Sequence, residues 1–443
     1  MKNSTAIFLF LYGLGAHTKV YLGGAISLSE LVSFPLAPVL FFNFYKEIKR
    51  NGFLPILILS CMMIVGCFCS CQYNDVPILP FIKSSMTFYS IFANTLLFYI
   101  LLRRDFKGLG WFFFGEFLSL IITIWAFDPR VLVNEYSTEL VGQEDIETKM
   151  EGVLFWFPKI NRILVFPLRA FYMRLHPAIA VASPLASAVF TILASISGRS
   201  SAATLFLSTL LISIARRSRR RMRAIGKHFV LFSVILIIGV FCLKEAYSYA
   251  ASKGMLGEDA RSKYYAQTHG DSSLMRILMS GRVEFFIAIR AMLDNPILGG
   301  GPYAKDTKGY TREFLMKYGD RTDYEAYINR IYANGIGEAE LLPQHSIITQ
   351  FWGSSGIIGL IFCLYLLYLI FVFFKRYAGC IPHWYGYFSL TIPISLFSLF
   401  FNPYGARVEG YPLLITCLLF AKAVGQRKML LPAQLEMEAL KYE

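Results

Sequence analysis

The chain has 443 residues and a formal net charge of +14, from 43 Lys and Arg against 29 Asp and Glu. Hydrophobic residues make up 56% and charged residues only 16%, where a soluble domain runs near about 25% charged. With a mean hydropathy of +0.51, these values exclude a disordered chain, a collagen and a coiled coil, and leave a polytopic membrane protein.

A helix that crosses a bilayer needs roughly 20 apolar residues. Such runs occur at about 5–20, 24–45, 53–71, 82–102 and 108–127. Further runs follow at 177–196, 199–215, 228–247, 345–374, 382–401 and 409–422. The first has no small-residue cleavage pattern and reads as a retained helix. Clusters of Lys and Arg mark cytoplasmic turns. They are Lys46, Lys49 and Arg50, then Arg103, Arg104 and Lys107, then the run Arg216–Arg223, then Lys375 and Arg376, then Arg427 and Lys428. Span 108–127 leaves the cytoplasm towards an acidic stretch, Glu135 to Glu147, whereas span 199–215 must end at the Arg run. One more crossing has to lie between them, and Gly152–Phe171, with Lys159 and Arg162 inside it, is the stretch that suits. The expected fold class is therefore an all-α polytopic membrane protein with about 12 transmembrane helices, both termini cytoplasmic, and one large, partly helical outer loop. Its parts are residues 1–247 (nine helices with short turns), the loop 248–343, and residues 344–443 (three helices and a cytoplasmic tail).

Sorting the charges by side explains the +14. The predicted cytoplasmic segments carry 22 Lys and Arg but five acids, and the outer face is close to neutral. The basic clusters are short turns between helices, so they set orientation and give no support to nucleic-acid binding. Eight cysteines lie mostly in apolar runs; they read as buried thiols rather than a disulfide framework, and Cys67, Cys69 and Cys71 lack the spacing of a zinc site.

An outer loop of nearly a hundred residues is long enough to expect function in it. Within it Leu274–Asp294 shows helical apolar spacing, ended by Asn295-Pro296 and then Gly299-Gly300-Gly301. Charged and ionisable residues at the outer ends of apolar spans are expensive and therefore candidates for chemistry. His345 opens the longest apolar run on the side of this loop; a neutral imidazole there suits proton abstraction from a hydroxyl, and an interfacial polar residue is the plainer reading. Arg199, in Ser197-Gly198-Arg199, sits at an outer turn, where a guanidinium suits bidentate phosphate binding or simply snorkels. Arg282, in Ser280-Gly281-Arg282, either faces a ligand or pairs with Glu284 or Asp271, and Arg290 follows it two turns on. Arg407 lies in the short outer turn 402–407. The three glycines suit a phosphate cradle or a turn after Pro296. Glu30 and Glu116 are the clear acids inside spans. Walker A, His-Glu-x-x-His, Gly-x-Ser-x-Gly and Asp-x-Asp patterns are all missing, so charge for a diphosphate would have to come from Arg and Lys.

The order of these motifs resembles the O-antigen ligase/polymerase superfamily. Ser197-Gly198-Arg199 opens a helix, Gly281-Arg282 leads into an amphipathic helix, and Asn295-Pro296 precedes Gly299–Gly301. After a variable loop, His345-Ser346 leads into Gly356-Ile357-Ile358-Gly359. Motif detail spans about 195–375, and Arg407 before the last helix resembles the Arg found there in ligases. Two departures stand out: members commonly have His-Asn at His345-Ser346, and Ser-Arg-Gly at Ser197-Gly198-Arg199.

The resemblance implies an inverting, metal-independent glycosyltransferase of the GT-C type, without a cofactor, in the bacterial inner membrane with its active site at the periplasmic face. The implied donor is a glycan on undecaprenyl diphosphate. The acceptor is lipid A-core in ligases and another lipid-linked glycan in polymerases, and a third branch transfers to protein. By the same resemblance His345, Arg282 and Arg199 are catalytic, while Arg290, Arg407, Gly299, Gly300, Gly301 and Ser346 bind substrate. Ligation to lipid A-core is the expected branch, and the Arg290-x₁₀-Gly301 spacing leans towards polymerase. A polysaccharide-lipid transporter and a non-catalytic envelope subunit are the competing classes. The first predicts inverted internal repeats, which the sequence does not show.

Overall fold

The computed structural model describes residues 3–16, 18–21, 25–103, 108–126, 248–255, 285–318, 341–342, 346–377, 385–401 and 410–439, with isolated positions between 182 and 265. These residues are mostly helical. The elements are α1 (Asn3–Leu14), β1 (Lys19–Tyr21), β2 (Ala25–Ser27), α2 (Leu28–Arg50), α3 (Leu54–Tyr73), α4 (Ile78–Leu102) and α5 (Leu109–Ala126). After helical residues 285–294 come α6 (Tyr310–Tyr318), α7 (Ile347–Ser355), α8 (Ile357–Val372) with a π-helical end (Phe373–Tyr377), α9 (Tyr385–Phe401) and α10 (Tyr411–Ala439). Among the described residues four helices are long and apolar enough to cross a membrane: Leu28–Arg50, Leu54–Tyr73, Ile78–Leu102 and Ile357–Tyr377. Four of the expected spans, at 152–171, 177–196, 199–215 and 228–247, lie outside the described residues, apart from helical positions 182, 185 and 245.

Local chemistry explains the helix limits in the first half. Ser27 caps α2 with its hydroxyl on the Glu30 N–H, and the Glu30 carboxylate accepts from the Ser27 N–H at 2.9 Å, a complete capping box. α2 stops at Asn51-Gly52, where Gly52 takes a positive φ of 75°. A proline lies in the first turn of α3, and Pro77 caps α4, both positions where the missing N–H costs nothing. The sequence places a single apolar run over 5–20. In the structure α1 stops at Leu14 and the chain then forms a small antiparallel hairpin, with Val20 opposite Ile26. Gly15 follows the last helical residue and the β-branched Val20 suits the strand, so the described elements are all helical except for this two-stranded ribbon.

Small and polar residues, as well as apolar bulk, set the packing. α1 lies against α5 so closely that a Cβ on Gly13 would overlap Phe112 of α5, and one on Gly115 would overlap Phe10 of α1. α1, α2 and α4 share a buried polar chain. The Tyr12 hydroxyl donates to the Asn94 side-chain oxygen, Ser33 donates to the same oxygen at 2.8 Å, Asn94 donates to Ser90 at 2.9 Å, and Ser90 donates to Glu30 at 2.6 Å. Glu30, read from sequence as an acid within a span, is thus the third residue of α2 with every described bond directed to helix N-terminal and hydroxyl donors. Such a carboxylate offsets both the dipole and the orphan N–H groups of a helix start.

The other ends of α2 and α4 meet through Arg103, which pairs with Glu47 and lies over the Phe44 ring at 4.1 Å. The C-terminal helix α10 packs on α4, with Phe420, Tyr99 and Phe53 in one ring cluster and centroids 4.3 to 5.7 Å apart. α7 packs on α3, and Phe351 meets Phe88 of α4 edge-on at 5.4 Å. Sequence-distant segments therefore share one apolar core. Among the described cysteines Cys67, Cys71, Cys363 and Cys417 are buried, as expected, whereas Cys61 and Cys69 sit on the exposed side of α3.

Candidate functional site

The described part of the site is built where the end of the outer loop meets the run that follows His345. The sequence suggests one long helix over 345–374. The structure breaks it at Gly356, which takes φ 63° and ψ −150°, between α7 and α8. Only glycine adopts that conformation readily.

The break has a partner. Asn295, Pro296, Ile297, Leu298 and Gly299–Gly301 form a strap that lies across it. The indole N–H of Trp352 donates to the Pro296 carbonyl at 2.9 Å, the Ile357 N–H to Ile297 at 2.9 Å, and the Gly301 N–H to Gly353 at 3.0 Å. Asn74 at the end of α3 donates to the Gly299 carbonyl at 3.2 Å, and Asn295 donates to it at 2.6 Å. A Cβ on Gly299 would stand 2.5 Å from the Trp352 carbonyl oxygen, so the strap lies flush on the backbone of α7. Beyond it the Leu342 N–H donates to Ala304 at 2.7 Å, and Lys305 pairs with Leu341, three residues before Gln344.

Ser346 is fully buried and caps α7. Its hydroxyl accepts from the Thr349 N–H at 3.1 Å, and the Thr349 hydroxyl accepts from the Ser346 N–H at 3.3 Å. Ser and Asn are both strong N-caps, so this helix start accommodates either residue after the His. Replacing Ser346 with Ala should destabilise the folded protein by about 1 kcal/mol, seen as a lower melting temperature in detergent. If Ser346→Ala melts like the wild type, the cap contributes nothing.

Arg290 is exposed and its guanidinium pairs with Asp294 at 2.9 Å, one turn on. Asp294 also accepts from the Tyr310 hydroxyl at 2.8 Å and lies 3.7 Å from Lys308. The Tyr310 hydrogen bond, with Arg290 and Lys308 beside it, holds the Asp294 carboxyl below its usual range. Burial, together with that carboxylate, pushes the Tyr310 hydroxyl up to about 12. Asp294 thus stays ionised, joins the helical residues 285–294 to α6, and fixes where Arg290 points. Asp306 caps α6, accepting from the N–H groups of Tyr310 at 2.8 Å and Thr311 at 2.7 Å.

The remaining expected site residues, His345, Arg199, Arg282 and Arg407, lie outside the described residues. Of those described, Ser346 sits at the start of α7, Gly299 and Gly301 lie against its other end, and Arg290 is in the helical residues 285–294 that lead into the strap. The glycine N–H groups of Gly299 and Gly301 donate to Asn295 and Gly353. Sequence reasoning passed over Asp294, Tyr310, Asn74 and Trp352. The i, i+4 spacing of Arg290 and Asp294 was a usable signal. Asn74 lies 225 residues from its partner, and local patterning carries no trace of that contact.

Comparison with known proteins adds one match: residues 185–364 fit the model of the O-antigen ligase family. No curated protein and no solved structure matches the chain. The matched stretch contains Arg199, Arg282, Arg290, the strap, His345 and Ser346, and ends before Arg407. Residues 185–364, which carry all but one of these motifs, are thus similar to the O-antigen ligase family.

Proposed function

We propose that this membrane protein transfers a glycan from undecaprenyl diphosphate to an acceptor hydroxyl at the periplasmic face of the bacterial inner membrane, and that the acceptor is lipid A-core. The observation that carries the reading is the family match over 185–364, which takes in Arg199, Arg282 and His345 in the order expected of such a transferase.

The imidazole of His345 takes the proton of the acceptor hydroxyl as its oxygen attacks the anomeric carbon. The bond from that carbon to the diphosphate oxygen breaks, and the undecaprenyl diphosphate leaves with the electron pair. Attack opposite the leaving group inverts the anomeric centre. Arg199 and Arg282 offset the charge gathering on the diphosphate, with Arg407 as a further contact. Well-placed donors of this kind each lower a barrier by about 3–4 kcal/mol. Arg290, paired with Asp294, is a further contact to the diphosphate beside Arg407.

Deletion followed by a lipopolysaccharide gel tests the reading. Loss of a ligase leaves full-length polymer on the lipid carrier, whereas loss of a polymerase leaves core bearing one unit. The second outcome would move the assignment to polymerase, the reading that the Arg290-x₁₀-Gly301 spacing favours. Counterflow of labelled lipid-linked glycan into proteoliposomes would replace both with a transporter. In the complemented strain, Arg199→Lys and Arg282→Lys should each lower transfer roughly 10-fold or more, because a point charge does not reproduce a bidentate fork. Donor binding that is unchanged in both variants removes these arginines from the site.

A further inference from the structure

Among the described residues the strap bonds the loop's arginine-bearing arm to the end of α7, the start of α8 and the end of α3. Its bonds run to both sides of the helix break: Pro296 to Trp352 in α7, Ile297 to Ile357 in α8, Gly301 to Gly353 in α7. The Asn74 amide pins the same strap to α3. Just beyond the strap, residues 304–305 hold residues 341–342, and Ser346 caps α7 four residues later. The chain on each side of His345 is therefore fastened to the segment that ends the helix carrying Arg290. Three of the bonds are between backbone groups or rely on Asn74. Trp352, mostly buried, supplies the side-chain donor that ties α7 itself to the strap.

We infer that the strap 295–301 sets the spacing between the arginine arm of the outer loop and α7, the helix that begins just after His345, by gripping the far end of α7 at its break with α8, and that Trp352 is a positioning residue for the transfer reaction. It touches neither donor nor acceptor. It acts by holding the two arms of the site in one frame, which matters because a misplacement of about 1 Å costs on the order of 10²-fold in rate. This inference rests on the transferase reading of the preceding section.

The test uses the full-length protein in detergent or membranes. Trp352→Phe keeps an aromatic ring and removes the indole N–H, leaving the Pro296 carbonyl without that donor. Asn74→Ala releases the strap from α3 instead and serves where Trp352→Phe accumulates poorly. Two quantities are measured for each: hydrogen exchange of the backbone over 295–301, and kcat and KM for the lipid-linked donor per unit of folded protein. Faster exchange in the strap should accompany a fall in kcat of roughly 10-fold or more, with donor KM changed far less. Faster exchange at unchanged kcat, or no change in either, would overturn the positioning role. Wild-type protein that transfers no glycan at all overturns the transferase reading itself, and that control is run first, so the two failures are told apart.

Discussion

His345→Ala should lower glycan transfer by about 10²–10⁴-fold while the protein accumulates at the wild-type level, the loss expected when a general base is removed. Two features make the variant clean. The helix start next to it is capped by Ser346 and Thr349 through their own hydroxyl and N–H groups, so the cap bonds themselves do not use the His345 side chain. Ser346 is fully buried, so the cap is shielded from the change. Transfer is measured in membranes with lipid-linked donor, and folded protein by gel filtration in detergent. Ser346→Ala is the useful contrast, since its effect should appear in stability first. Full transfer by His345→Ala would end the base assignment. Equal losses of transfer and of folded protein would turn it into a stability effect.

Much of the architecture was legible where apolar runs are long and flanked by charge. The runs at 24–45, 53–71, 82–102 and 108–127 correspond to α2, α3, α4 and α5 to within a few residues, because Ser27, Asn51-Gly52, Pro77 and Arg103 punctuate them. Legibility failed where tertiary contact overrides a local pattern. Residues 345–374 read as one helix, since nothing around Gly356 in the sequence forces a break. The break exists because the strap needs the Ile357 N–H and the space that a side chain at 356 would fill. The C-terminal helix also runs past its apolar stretch at 409–422, to Ala439. Its tail mixes charged residues with good helix formers such as Gln, Leu, Met and Glu, and the helix runs on through Pro432.

The candidate site shows the same division. Arg290 was visible as a cation on an amphipathic stretch, and its ion pair with Asp294 follows from i, i+4 spacing. The Tyr310 bond that anchors this pair comes from the far side of the loop, 16 residues on. The glycines after Asn295-Pro296 suggested a cradle for phosphate or a turn. The structure uses Gly299 and Gly301 as places where one backbone can lie against another. A run of glycines signals close approach in both cases, and the sequence alone does not say what approaches.

Gly356→Ala should be the most damaging substitution in the described core, and should abolish the folded protein in detergent. Two costs add at this position. The backbone sits at φ 63° and ψ −150°, a region essentially closed to residues with a Cβ, which costs about 1–3 kcal/mol. The new methyl would also overlap the Ile297 carbonyl oxygen and stand 2.8 Å from its carbon and 2.9 Å from that of Leu298, so the strap must move. Moving it breaks the Ile357 bond to Ile297 and disturbs the bonds to Trp352 and Gly353 together, because all three share one short segment. A combined loss above about 3 kcal/mol is a large part of the whole stability of a typical folded protein. Gly300→Ala is the matched control one strap residue away. Its φ is not in the left-handed region, and the atoms nearest its Cβ would be the Ala304 methyl at 3.0 Å and the side-chain ends of Leu342 and Met292 at 3.9 Å. Gly300→Ala requires only a small shift at Ala304, so it should accumulate and lose far less stability than Gly356→Ala. If Gly356→Ala accumulates and melts near the wild type, the helix is continuous through 356 in solution, and the strap then has no break to hold.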